Sequence, residues 1–204
     1  MTALDPGLRA LVRVSAAVAA LPAEALSSIL EEAQEAADSI EVEEALLQSH
    51  LFLGYPKALN ALAEWRRVSG TEAPSAVDPV GPAGWPARGE QTCRAVYGSA
   101  YEGLRENVAA LSPEMDRWMV VEGYGRVLGR PGLELGRREC CVVGVLVVCD
   151  VPRQLYSHLR GALRCGVSAA ELTRVVDTAL EFADEAARTS ALKTLETVLS
   201  PGEK

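Results

Sequence analysis

The chain has 204 residues, enough for one large domain or two small ones, and 49% of them are hydrophobic, ample for a core. Its 20 Lys and Arg against 28 Asp and Glu give a formal net charge of -8, which repels polyanions and argues against nucleic acid or an acidic membrane surface as partner. The longest apolar run, Cys140 to Cys149, is too short to cross a bilayer, and no basic patch with an apolar stretch and cleavage site opens the chain, so a cytoplasmic protein off the membrane is expected.

Asp5-Pro6 supplies an N-cap and a proline at the first helical position, and Leu8, Leu11, Val12, Val14, Ser15 and Val18 follow at helical spacing. Leu21-Pro22 interrupts this first helix. A second carries Leu26, Ile29, Leu30 and Ala33 on one face, with Glu31, Glu32 and Glu35 left to solvent. Ser39 opens a third, on Val42, Ala45, Leu46, Ser49 and Leu53, which Gly54-Tyr55-Pro56 closes. A fourth, from Pro56 to about Val68, carries Leu59, Leu62 and Trp65.

Residues 69–89 are dense in Pro and Gly without periodicity and are predicted to form a long connection. One helix is predicted from Glu90 to Leu111, on Val96, Ala100, Leu104, Val108 and Leu111. Ser112-Pro113-Glu114 starts the next, which carries Met115, Trp118, Met119 and Val121 and is expected to fray at Gly123-Tyr124-Gly125. Beyond a turn at Pro131-Gly132, Arg137 to Cys149 and Pro152 to Arg164 are predicted to be a helical hairpin, with Asp150 as the N-cap of its second arm. The run VVGVLVV at 142–148 also fits a buried strand, but no partner strand is in view, so helix is preferred. Ser168 to Glu171 is a capping box, and Leu172, Val175, Val176, Ala179, Leu180 and Ala183 continue a helix towards Leu199. The fold class expected is all-α.

Sliding the chain on itself by 129 residues places Arg9 on Arg138, Leu26 on Leu155, Ile29 on His158 and Ala33 on Ala162; one residue more aligns Glu41 with Glu171 and Phe52 with Phe182. Each copy reads helix, Pro-containing turn, helix, short loop, longer helix, which suggests an internally duplicated unit. The organisation expected is a degenerate N-terminal repeat over 1–68, a Pro/Gly-rich linker over 69–89 and a C-terminal domain over 90–204. Polar residues are not duplicated. Where the second copy has Glu139, Gln154 and His158, the first has Ala10, Ala25 and Ile29.

Five cysteines, at 93, 140, 141, 149 and 165, contain no CxxC, which argues against a disulfide framework and a four-thiolate zinc site. They fit buried small hydrophobes, with Cys149 the first to test for reactivity. The two histidines, His50 and His158, lie far apart in sequence without a carboxylate triplet, so no metal is expected. No Gly-rich phosphate loop follows a strand, so no nucleotide cofactor is expected either. His50 is read as structural.

In order, Tyr97-Gly98, Gly123-Tyr124-Gly125, Arg130-Pro131-Gly132-Leu133, Arg138-Glu139, Gln154-Leu155, Ser157-His158-Leu159, Gly161-Ala162-Leu163 and Gly166-Val167-Ser168 followed by Glu171-Leu172 resemble the carboxymuconolactone decarboxylase family, which includes alkylhydroperoxidase D. The resemblance covers about Gly89 to Ala186. It implies an alkylhydroperoxidase D-like all-α fold assembled as a homo-oligomer, a trimer for a chain with two repeats. In the peroxidase branch a Glu is followed by a CxxC pair and a His. These fall on Glu139, on Val151 and Gln154, and on His158. Valine and glutamine supply no nucleophilic or resolving thiol, so CxxC-dependent peroxide reduction is not expected.

What the resemblance leaves is the decarboxylase pattern, proton transfer on a small anionic acid or lactone. His158 would be the general acid or base and Glu139 its orienting partner, with Gln154, Arg138 and Arg153 binding substrate and no cofactor. Two other outcomes stay open: antioxidant chemistry at the non-CxxC cysteines, and a non-catalytic oligomeric scaffold or ligand-binding protein. At 1.5 Å per residue from a turn near Val151, Glu139 and His158 lie about 18 Å and about 10 Å along their helices, so they meet only if the helices cross or a neighbour intervenes.

Overall fold

The computed structural model describes residues 3–73 and 78–200. All regular structure among them is helical. Part of the predicted 69–89 connection, residues 74–77, lies outside the described residues. No helix among the described residues is long and apolar enough to cross a membrane.

The first helix starts at the cap that the sequence predicts. Helix α1 (Pro6–Ala20) starts where the Asp5 carboxylate accepts from Leu8 N at 2.8 Å. After a 3₁₀ turn, α2 (Ser27–Ala36) buries Ile29, Leu30 and Ala33, and α3 (Ser39–Gln48) starts on an Asp38 cap. Helix α4 (His50–Ser69) turns once and then breaks at Gly54, whose φ of 77° suits glycine. The predicted stop at Gly54-Tyr55-Pro56 is therefore a kink within α4, and the third helix already ends at Gln48.

Four expectations along the middle and end of the chain are corrected. Helix α5 (Gly81–Tyr97) begins inside the predicted connection, because Pro82 sits in the first turn, where no backbone hydrogen bond is lost. Asp78 anchors that start, accepting from Trp85 Nε1 at 2.7 Å and from both terminal nitrogens of Arg88. The single helix predicted over 90–111 is two: Gly98, with φ 55°, ends α5, and a 3₁₀ turn leads into α6 (Tyr101–Leu111). Helix α7 (Pro113–Trp118) does not fray at Gly123-Tyr124-Gly125 but runs on as a π-helix, Met119–Leu128. There the glycines serve close approach: a Cβ on Gly125 would stand 2.2 Å from the Trp85 carbonyl oxygen, and one on Gly89 2.0 Å from that of Val120. The helix predicted to run from Glu171 to Leu199 is α10 (Ala169–Ala179), a 3₁₀ turn and α11 (Glu185–Leu199), restarted by an Asp184 cap on Ala187 N.

Helix α8 (Leu135–Val148) settles the ambiguous VVGVLVV run as helix. Every residue from Arg138 to Val147 is buried, because α8 lies between two apolar clusters. Val142, Val143, Leu146 and Val147 face one with Leu155, Leu159, Leu172 and Val176, while Cys141 joins the other with Leu11, Val14 and Leu46. A helix buried all round shows no amphipathic period, which explains the strand-like appearance. At Gly144 a Cβ would lie 3.2 Å from the Val12 carbonyl oxygen, so α1 and α8 pack almost backbone to backbone. Helix α9 (Pro152–Arg164) follows after a three-residue connection. Asp150 is not its N-cap: it adopts φ 49°, and Val151 takes the cap position without a side-chain bond. Asp tolerates this left-handed geometry better than most residues.

The element bounds keep the sequence offset. Adding 129 to those of α1 gives 135–149, against Leu135–Val148 for α8, and adding 130 to those of α3 gives 169–178, against Ala169–Ala179 for α10. The segment Gly81–Leu128 stands between the two sets, and its α5 packs on α9.

Candidate functional site

Helix α8 carries three consecutive charged residues, Arg137, Arg138 and Glu139, and the last two are fully buried among apolar side chains. Burying a charge is costly unless it is paired, so the partners of Arg138 and Glu139 are informative.

Glu139 is fully buried and meets His158 of α9, 5% exposed, through a 2.8 Å contact between Oε2 and Nδ1. The sequence condition that the two arms bring these side chains together is met. Gly161 explains how. A Cβ there would stand 2.6 Å from Glu139 Oε2 and 2.7 Å from Val96 Cγ1, so the carboxylate comes down on α9 where a side chain is missing. Where Nδ1–H donates to the Glu139 carboxylate, Nε2 is the nitrogen left to carry or release a proton. Nε2 has no hydrogen-bond partner among the described residues, and neither has the buried Glu139 Oε1.

Aromatic rings enclose the imidazole. Phe52, from the first turn of α4, stands edge-on at 6.1 Å between centroids, and Tyr97 at 6.3 Å. Behind Tyr97, the Tyr124 hydroxyl donates to the Tyr97 hydroxyl at 3.1 Å. Tyr97 also belongs to the wall of a cavity of about 530 Å³ between α6 and α9, shared by Leu104, Asn107, Arg153, Gln154 and Ser157. The size suits a small organic molecule. Two of the sequence candidates, Arg153 and Gln154, are exposed there, so the structure brings them to the cavity and Tyr97 joins that wall to the Glu139–His158 pair.

Arg138 is a correction. Its side chain is 0% exposed and wholly engaged: Nη2 reaches Glu44 Oε2 at 2.7 Å and the carbonyls of Arg130 and Pro131, Nη1 reaches Gln48, and Nε the Leu133 carbonyl. It ties α8 to α3 and to the turn before α8, with nothing left to bind a substrate. Arg137 is likewise paired, with Asp5 and Glu41. His50 hydrogen-bonds the Leu47 carbonyl through Nδ1 at 2.6 Å and packs against Tyr55.

The cysteines divide by exposure. Cys93, Cys140 and Cys141 are fully buried, Cys165 is half-buried and Cys149 exposed. Burial pushes every one of these thiols up, Cys93 to about 12 and Cys141 and Cys165 to about 11. A thiolate nucleophile needs the opposite shift. Among the described residues, no group of three or more His, Cys, Asp or Glu side chains is clustered to hold a metal ion.

Sequence reasoning named Glu139, His158, Gln154 and Arg153 but gave Tyr97, Tyr124 and Gly161 no role beyond the resemblance. The available signal was glycine: Gly98 after Tyr97, Gly123 and Gly125 around Tyr124, and Gly161 on the apolar face of an amphipathic helix. In comparisons with known proteins, no family model matches the chain and no curated protein sequence matches it.

Proposed function

We propose that the protein is a proton-transferring enzyme of the carboxymuconolactone decarboxylase type, acting on a small organic acid or lactone. The observation that carries this is the buried 2.8 Å hydrogen bond between Glu139 and His158, which Tyr97 separates from a cavity of mixed polar and apolar wall. Glu139 fixes the ring and its tautomer, and Nε2 takes or gives the proton. In decarboxylation the C–C bond to the carboxylate breaks, CO₂ leaves and the electron pair remains as an enolate. The His158 imidazolium then protonates carbon, and the neutral ring recovers a proton from water. Arg153, whose guanidinium makes no hydrogen bond among the described residues, would hold the substrate's carboxylate with Gln154. Burial raises all five thiols, which weighs against the cysteine-based antioxidant alternative.

The test is turnover of carboxymuconolactone and a panel of short lactone and keto acids by the purified protein, followed as CO₂ release. His158→Gln is expected to lower kcat by roughly 10²–10⁴-fold while the protein stays folded. Wild-type turnover in that variant, or none in the native protein across the panel, would overturn the reading.

The same proposal includes the duplication, which the retained offset of helix bounds supports, and self-association as a trimer. Leu111 at 82%, Met115 at 53% and Trp118 at 49% exposure form an apolar edge on α6 and α7 beside the cavity, more consistent with a covered surface than a solvated one. Light scattering is expected to give about three times the 21.7 kDa chain mass. A monomer would end this part.

A further inference from the structure

Tyr97 and Tyr124 form a polar pair inside an apolar cluster, and the acid-base chemistry above does not use it. Tyr97 is the last residue of α5 and Tyr124 lies in the π-helix; their rings meet edge to face at 5.9 Å and 77°. Tyr124 is 3% exposed, and among the described residues its hydroxyl has one acceptor, the Tyr97 oxygen. That fixes the polarity of the pair. Tyr97 accepts, and its own proton has no acceptor among the described residues. A hydroxyl that receives one hydrogen bond donates a stronger one, since chained hydrogen bonds polarise each other. Burial pushes the Tyr97 hydroxyl up to about 12, which keeps it protonated at neutral pH. Its residue lines the cavity, and its ring adjoins His158.

We infer that Tyr97, polarised by Tyr124, is the donor that holds the oxyanion of a bound enolate, and that the substrate is therefore an acid or lactone whose carbonyl is conjugated to the bond being broken. For its chemistry this rests on the acid-base reading. When the C–C bond to the carboxylate breaks and CO₂ departs, the electron pair moves through the α-carbon onto the carbonyl oxygen, which Tyr97 O–H stabilises without giving up its proton. His158 then protonates the carbon as the carbonyl re-forms. Arg153 and Gln154, also on the cavity wall, take the carboxylate end before it leaves.

The probe is 4-nitrophenolate, an enolate-like oxyanion that needs no turnover, with nitrobenzene as the uncharged control of similar shape. The native protein is expected to bind 4-nitrophenolate, and Tyr97→Phe to weaken it roughly ten- to hundredfold, the worth of a hydrogen bond to a charged oxygen, with nitrobenzene affinity unchanged. Tyr124→Phe, which removes only the polarising bond, is expected to cost a smaller factor. Tyr97→Phe leaves the Tyr124 hydroxyl buried without an acceptor. The double variant Tyr97→Phe/Tyr124→Phe removes both hydroxyls, keeps both rings and guards against loss of fold. Equal 4-nitrophenolate affinity in the native protein and the double variant, no 4-nitrophenolate binding by the native protein, or a parallel loss of nitrobenzene would each overturn the inference. His158→Gln is expected to retain 4-nitrophenolate binding, so failure of the acid-base reading and failure of this one give different results.

Discussion

Arg138→Ala is expected to destabilise the protein by about 3–5 kcal/mol, the range for breaking a buried ion pair from one side. The side chain is 0% exposed and serves a carboxylate, a side-chain amide and three carbonyls drawn from α3 and the turn before α8. Truncation strands these groups in an interior that water cannot easily reach. Glu44 is only partly rescued, because Arg130 still holds it at 3.0 Å from the rim. Arg138→Lys keeps the charge but not the planar fork, which here bonds in several directions at once, and is expected to lose about half as much. Urea unfolding with an unchanged slope would measure it, with Arg117→Ala as an exposed control expected within about 0.5 kcal/mol. A loss below about 1 kcal/mol for Arg138→Ala would mean that the network relaxes or rehydrates.

The same residue shows what the sequence could not reveal. An arginine beside a glutamate, in a segment suspected of binding anions, is naturally assigned to substrate. Its partner Glu44 lies 94 residues away on α3, and no local pattern joins them. Local chemistry was legible where it acts locally: the Asp5 cap, the Ser168–Glu171 capping box and the apolar faces of α1 and α2 stand where periodicity and capping put them, and α3 keeps Val42, Ala45 and Leu46 of its predicted face before ending at Gln48. Helix α8 was harder, because burial on all sides erases the period. At the site, Glu139 and His158 were legible as residue types on two arms of one hairpin, but their contact depends on Gly161, whose missing side chain matters only once α8 is laid on α9. The glycines of 81–128 misled for a related reason. Gly89 and Gly125 look like breakers along the chain and act as contact points between helices.

Gly125→Ala is therefore expected to cost at least about 3 kcal/mol, the upper end for overpacking a filled interior. Its Cβ would lie 2.2 Å from the Trp85 oxygen and 2.8 Å from the Trp85 carbonyl carbon, both backbone atoms that no rotamer change can remove. Relief requires α5 and the π-helix to separate by about an ångström, since ordinary carbon–oxygen contact begins beyond 3 Å. That movement would also stretch the 2.6 Å bond from Arg88 Nε to the Gly125 carbonyl. Tyr124 precedes Gly125 on one helix and Tyr97 ends the other, so the 3.1 Å hydroxyl contact between them would open as well. The variant should then lose stability and 4-nitrophenolate affinity together, whereas Tyr97→Phe/Tyr124→Phe should lose affinity with little change in stability. Gly103→Ala supplies the control: a Cβ there meets nothing within 4 Å, and alanine in a helix is expected to be neutral or to stabilise by up to about 1 kcal/mol. If Gly125→Ala unfolds at the same urea concentration as Gly103→Ala, the two helices are not held by backbone contact, and the tyrosine pair must be positioned by the rings alone.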